Sequence, residues 1–420
     1  MGVTTQEDIQ GEELAPQGSE EVETAGDSKS ESPAAREAAG TLGLFAVEAA
    51  ALLQRAEAAE AGPDFLEQLE QYRQRIDAAV GNYSQELLQR VAEEYGPHVH
   101  DIVAEYCEIL SRGGKRSRGS LEIASYEMFG GTDEATSLQA ALVLELLQAA
   151  VLVQDDIEDR SPERRGGPAM YRAVEQYHRE NGLRGDSAHF GVGQSVNTST
   201  QMLFIAEAEL EKLPISPEME LALRREYGRT IILTAYGQTL DMYNAAAQEV
   251  TEEEVLDVLR LKTAYYTIYN PLLVGGMLAG ASEDELAFLK QYADYTGIAF
   301  QVTDDILGTF GKPSETGKSI QDDVREGKST ILTTYAIAHA SSEQLPVLYA
   351  ALGNQDLTTE QFEAYRHVVE ETGALTYAQE LARQQVASAR EVLQEAPTRV
   401  SRKGVNFLHG FTEFVAKRIN

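Results

Sequence analysis

From about Thr41 onward, apolar residues recur every three or four positions, the spacing that gathers them on one side of a helix. Leu44, Phe45, Val47, Leu52 and Leu53 open an alanine-rich helix that Gly62-Pro63 ends. The same period runs through 65–80 and 85–95, then 121–129, 137–159, 202–213, 218–246, 252–261, 283–306, 331–339, 359–372 and 375–395. Two starts are marked by capping boxes, Thr251 with Glu254 and Ser282 with Glu285. Gly130-Gly131 and Gly353-Asn354 supply stops. Alternating runs of the strand type are scarce. No repeat of 20–50 residues and no Pro/Ser-rich linker divides the body. The pattern predicts one large all-α domain over 41–420, its body beginning near residue 60. Residues 141–153 are apolar enough to lie on a helix buried on most sides.

Charge changes this picture at both ends of the scale. The 420 residues carry 68 Asp+Glu against 35 Lys+Arg, a formal charge of −33. Residues 1–40 hold ten Asp/Glu and two Lys/Arg among Gly, Ser, Thr and Pro, and read as a disordered acidic tail. The tail contributes −8, which leaves −25 on the body. So negative a surface excludes general binding to nucleic acid or anionic lipid. Only ten of the basic residues are lysine. Acidity with little lysine fits an interior of concentrated salt, where screening over roughly 3 Å removes self-repulsion. An ordinary acidic protein with an acidic tail is the alternative. The single cysteine, Cys107, excludes an internal disulfide and a Cys-cluster metal site. The first 30 residues lack an apolar core with a basic flank, so no signal peptide is expected. Residues 141–153 carry Glu145 and Gln148, and 265–281 are broken by Asn270-Pro271, so no membrane span is expected either. A soluble, cytoplasmic protein follows.

The candidate chemistry begins with Gln154-Asp155-Asp156-Ile157-Glu158-Asp159. On a helix Asp155 and Asp159 share a face, with Asp156 beside them. They follow an apolar run, at a helix C-terminus whose partial negative charge makes acids less favourable. Compensating positive charge is required, and hard cations such as Mg²⁺ prefer carboxylate oxygens. Phe300-Gln301-Val302-Thr303-Asp304-Asp305 repeats the arrangement about 150 residues later. Facing each other, the two could hold Mg²⁺ around one diphosphate. Four of the ten lysines fall in three short windows, at Lys115, at Lys262, and at Lys318 and Lys328. Arg164-Arg165-Gly166-Gly167 adds a basic pair after the first Asp motif. Lysine is a point charge suited to phosphate, and arginine offers a fork. The bland alternative is salt bridging to the Asp motifs. Residues 311–319 mimic a phosphate loop, but with five residues between the glycines and a helix before it the motif is rejected. The seven histidines form no ligand set.

In order along the chain stand Gly113-Gly114-Lys115-Arg116-Ser117-Arg118, the first Asp motif, Arg164-Arg165-Gly166-Gly167, Gly237-Gln238-Thr239-Leu240-Asp241, Lys262-Thr263, Phe300-Gln301 with the second Asp pair, and the Gly317-Lys318 to Gly327-Lys328 segment. This ordered set resembles the trans-isoprenyl diphosphate synthases of the polyprenyl synthetase family, over about residues 75–415. The resemblance implies an isoprenoid synthase-type helical bundle around a central cavity, a homodimer, and three Mg²⁺ ions. It implies that Asp155, Asp156, Asp159, Asp304 and Asp305 hold metal. Arg164, Lys262, Lys318 and Lys328 would neutralise the allylic diphosphate. Lys115, Arg118 and Arg165 would bind isopentenyl diphosphate with Gln148. Thr263 and Gln301 would lie near the developing carbocation, and Asp323 or Asp322 would support the second metal site.

Three departures stand out: Gly308 where many members have a third Asp, Gln154 and Gly119 for common His and Pro, and no Gly-Asp pair over 189–202. The last leaves open a specialised paralogue or a partner subunit of a heteromeric synthase. A terpene cyclase is the other alternative. In the family the residues before the first Asp motif set product length. Ala150 and Val151 are too small to form a high floor, so Leu147 and Leu144 deeper down imply a product of about C20, with C25 the longer option.

Overall fold

The structure is a computed structural model that describes residues 63–311 and 320–419, all within one compact unit, Ala56–Asn420. The tail over 1–40, the helix expected from Leu44 to the stop at Gly62, and Lys318 lie outside the described residues.

The described chain is almost wholly helical: α1 Pro63–Tyr95, α2 Pro97–Ser111, α3 Ser117–Met128, α4 Glu134–Glu158, α5 Met170–Glu180, α6 Ser187–Ala208, α7 Pro217–Ala246, α8 Glu252–Val258, a π-helical segment Leu259–Tyr269, α9 Asn270–Leu278, α10 Glu283–Phe310, α11 Asp322–Glu326, α12 Ile331–His339, α13 Leu345–Ala351, α14 Thr359–Glu371, α15 Ala374–Gln394 and α16 Arg402–Lys417. A two-residue hairpin, Glu163–Arg164 with Gly167–Pro168, is the sheet present among them. Both predicted capping boxes form, at Thr251 and Ser282, and Thr358 with Gln361 adds another.

Among the differences from the predicted bounds, three stand out. The break expected near residue 81 is absent and α1 runs 33 residues, because a Cβ at Gly81 would meet nothing within 4 Å and Tyr83, Leu87 and Val91 continue its buried stripe. Residues 189–202, unassigned by pattern, form most of α6, started by an Asp186 cap. Helix α10 continues past Ile306 to Phe310, so Asp304 and Asp305 lie inside it rather than at its end.

Helix α4 forms the axis of the core. It is long and apolar enough to cross a membrane by length and composition, contrary to the sequence expectation, yet 78% of the relevant window is buried in protein. Midway along it the buried Glu145 accepts from Arg116 Nη1 at 2.9 Å, and Arg116 Nε reaches Asp77 at 2.8 Å. That pairing makes the buried carboxylate tolerable. Beside it runs α6, whose Ser199 Oγ donates to the Ala150 carbonyl at 2.8 Å. The π segment lies between α7 and α10.

Candidate active site

Helix α4 ends where its apolar run ends, with Asp159 as its C-cap. The positive charge that such an end requires is supplied by three side chains from distant parts of the chain. Arg164 Nε donates to Asp156 Oδ1 at 2.6 Å, and its Nη2 reaches Asp155 Oδ2 at 3.2 Å. Lys262 Nζ lies 3.3 Å from Asp155 Oδ1 and 2.7 Å from Asp241 Oδ2. Lys328 Nζ donates to Asp159 Oδ2 at 2.7 Å and lies 2.8 Å from Glu326 Oε2. Burial opposes the charge on Lys262, but Asp155 and Asp241 outweigh it and hold the ammonium above the usual lysine range. Burial opposes the charge on Lys328 too, and Asp159 and Asp323 outweigh it. Glu326 rises to about 7, through burial that the Lys328 charge only partly offsets.

The second motif meets this cluster from α10. Gln301 Nε2 donates to Asp305 Oδ1 at 2.8 Å, while Asp305 Oδ2 is buried without a hydrogen-bond partner. Burial and then the neighbouring Asp323 push the Asp305 carboxyl well above its usual range. Asp304 pairs with Arg418 at 2.7 Å, beyond the end of α16. Gly308 gains a reason: a Cβ there would lie 2.5 Å from Asp323 Oδ2. The Asp323 carboxylate thus fills the space where a side chain at 308 would begin. Asp323 faces α10, while Asp322 lies 3.9 Å from Arg325.

The basic loop before α3 needs its glycines, because Gly113 and Gly114 have φ of 84° and 131°. A Cβ on Gly114 would press on the Arg165 guanidinium at 3.3 Å. Loop and hairpin therefore meet: Arg165 Nη1 donates to the Ile109 carbonyl at 3.1 Å, and Arg112 Nη1 to that of Pro168 at 2.7 Å. Burial, with Arg116 next in effect, lowers Arg165 to about 10. Arg118 Nη2 donates to Thr267 Oγ1 at 2.6 Å, and its guanidinium lies 4.1 Å over the Tyr266 ring. Lys115 Nζ lies 5.8 Å over the Phe414 ring. Gln148 is buried and its carbonyl oxygen accepts from the Tyr266 hydroxyl. Arg116 turns inward and belongs to the core.

The structure therefore joins the first Asp motif to Lys262, Lys328 and Arg164, and the second to the same cluster through Asp323 and Asp241. Among the described residues, no three His, Cys, Asp or Glu side chains converge as a ready cation site. The salt bridging weighed as the bland reading is thus real. Three participants were missed by sequence reasoning. Asp241 was quoted without a role although it ends the Gly237 motif; Glu326 sits two residues before Lys328; Arg418 had no pattern to reveal it.

An all-helical bundle with carboxylates of two long helices gathered around shared lysines defines the isoprenoid-synthase class. The chain belongs to the polyprenyl synthetase family, whose model matches residues 100–371. It is 30% identical to the geranylgeranyl diphosphate synthase of Saccharolobus solfataricus, over 72% of this chain and 87% of that one. It is 28% identical to the geranylfarnesyl diphosphate synthase of Aeropyrum pernix, over 74% and 92%. A crystal structure of the Corynebacterium glutamicum geranylgeranyl pyrophosphate synthase, complexed with isoprenyl diphosphate and magnesium, superposes with a TM-score of 0.77 at 32% identity, covering 82% of this chain and 99% of that one.

Proposed function

We infer that this chain is a Mg²⁺-dependent trans-prenyltransferase. It joins isopentenyl diphosphate head to tail to an allylic diphosphate and releases pyrophosphate, giving a product of about C20. The observation that carries the reading is the gathering of the first Asp motif with Asp241 and Asp323 around Lys262 and Lys328, next to Asp305 of the second motif. The all-oxygen donor set suits a hard cation, and the buried, unbonded Asp305 Oδ2 is an acceptor still without its donor. Bound Mg²⁺ supplies positive charge that neutralises the departing pyrophosphate.

Asp155, Asp156, Asp159, Asp304 and Asp305 would hold three ions, with Asp323 in place of the carboxylate that position 308 lacks. Arg164, Lys262 and Lys328 would transfer their hydrogen bonds from these carboxylates to the allylic diphosphate, which Lys318 would also neutralise. Lys115, Arg118, Arg165 and Gln148 would bind isopentenyl diphosphate. Thr263 and Gln301 would stand near the positive charge that develops on the allylic carbon. The departing pyrophosphate is the base that accepts the proton lost from the new chain.

A homodimer is part of this reading. Leu221, Ile232, Tyr236 and Tyr243 are exposed and fall within about 60° of one another around α7. Phe204 on α6 is 72% exposed, and a group of exposed apolar side chains of this kind supports an interface. We place the enzyme in a cytoplasm of concentrated salt.

Purified protein with labelled isopentenyl diphosphate, an allylic primer and Mg²⁺, at low and molar salt, tests the reading. Labelled C20 diphosphate is expected, with the higher rate at molar salt. A terpene cyclase would consume the primer without isopentenyl diphosphate. A non-catalytic partner would leave both untouched, and either result would overturn the reading.

A further inference from the structure

The segment Leu259–Tyr269 is wound as a π-helix, and the bond from the Asn270 N–H to the Tyr265 carbonyl, five residues back, continues that winding. Such windings are rare and short, and they persist where the surroundings fix them. Here the surroundings are two glycines. A Cβ on Gly237 of α7 would lie 2.7 Å from Lys262 Cα, and one on Gly297 of α10 would lie 2.7 Å from Ala264 Cα. Both contacts are with backbone, which cannot swing aside as a flexible side chain can. The segment is therefore packed on both sides at the residues that carry Lys262 and Thr263.

The winding decides which side chains share a face. In an α-helix, residue i+5 lies about 140° around from residue i. In an i to i+5 winding, residues i+4 and i+5 lie close on either side of residue i. Lys262, Tyr266 and Thr267 stand in that relation. Lys262 reaches Asp155 of the first Asp motif. Thr267 Oγ1 accepts from Arg118, whose guanidinium lies on the Tyr266 ring, and Tyr266 in turn donates to Gln148. One face of one segment thus touches the allylic subsite at its start and the isopentenyl subsite one turn deeper. Arg118 Nε is buried without a hydrogen-bond partner, so Thr267 and Tyr266 fix the fork while leaving a donor unspent.

We propose that the π winding, held between Gly237 and Gly297, sets the spacing of the two diphosphate subsites, with Thr267 as the positioning residue that aims the Arg118 guanidinium. The proposal rests on the prenyltransferase reading. Thr267 touches Arg118 and not the reacting atoms, so its effect belongs in one substrate's KM.

The test is a set of variants assayed against both substrates. Thr267→Val keeps the shape and removes the acceptor; it should raise KM for isopentenyl diphosphate about tenfold, the scale of a lost charge-assisted bond. KM for the allylic substrate and kcat should stay within twofold, and Thr267→Ser should restore the wild-type value. Arg118→Lys should give a similar rise, and Thr267→Val/Arg118→Lys should add little to it, since both act on one contact. Gly237→Ala should raise KM for both substrates, while Gly81→Ala, in open space on α1, should raise neither. If Gly237→Ala does not fold, the Thr267 and Arg118 set decides alone. Unchanged isopentenyl KM in Thr267→Val, equal changes for both substrates, or full additivity of the double variant would overturn the inference while leaving the enzyme reading intact. Absence of any incorporation by the wild type would remove both.

Discussion

Asp155 lies between two of the site's cations. It bonds Arg164 and lies against Lys262, which also holds Asp241. Replacing Asp155 with Ala removes a proposed metal ligand and leaves two buried cations short of an anion. Mg²⁺-dependent turnover should fall by at least about 100-fold, the scale of one lost electrostatic partner in a reacting site. Product formation at saturating substrate measures it, and turnover near the wild-type rate would refute the role. A second buried acid is separate from this chemistry. Glu122 of α3 is fully buried, accepts from Ser137 Oγ at 3.0 Å, and has Oε1 without a partner. Burial pushes its carboxyl well above the usual range. The folded chain therefore keeps a proton that the unfolded chain loses above its ordinary carboxylate range. That contribution is full at low pH and is lost as pH rises towards the folded value. Glu122→Gln removes the linkage, so urea unfolding at fixed salt should show the variant gaining on the wild type from pH 5 to pH 8. A constant difference across that range would contradict the protonated state.

At the scale of elements, helix α4 carries both the Asp motif and the residues proposed to limit the product. Ala150, Leu147 and Leu144 are all buried along it, and Ala150 meets Ser199 of α6. Ala150→Phe should shorten the main product, read by reversed-phase chromatography, with a stability loss of no more than about 3 kcal/mol from added bulk. Unchanged chain length would show that position 150 is not on the path of the growing chain. Most of the helices were legible because their period and caps are local: Thr251 and Ser282 fix their boundaries within four residues of sequence. The π winding was not legible, since 259–269 has an ordinary helical pattern and its geometry comes from Gly237 and Gly297, distant in sequence. The continuation of α10 beyond Asp305 was hidden for the same kind of reason. Adjacent aspartates read locally as a helix end, but Gln301, one turn back on the same helix, pairs with Asp305, and Asp323 approaches from the side at Gly308. The Asp and Lys motifs were legible as a set because their order along the chain is distinctive. Their pairing with each other, and the parts of Asp241, Glu326 and Arg418, required the fold.

Over the whole molecule, the exposed stripe of Leu221, Ile232, Tyr236 and Tyr243 with Phe204 is the main apolar exception to an acidic surface. Light scattering at molar salt should give twice the chain mass. Phe204→Glu/Tyr236→Glu should give the single-chain mass, and a wild-type monomer would contradict the dimer. The net charge of −33 has a different bearing on the site. In molar salt, fields die away over roughly 3 Å. The site's main contacts, 2.7 Å from Lys262 to Asp241 and 2.7 Å from Lys328 to Asp159, fall within that reach. Such a site is short-sighted. In such salt it would not draw a diphosphate in from the surrounding solution, nor would the screened acidic surface repel one, and its lysines would act on a substrate only after touch. Capture then depends on collision, and selection on the exchange of one set of close ionic contacts for another.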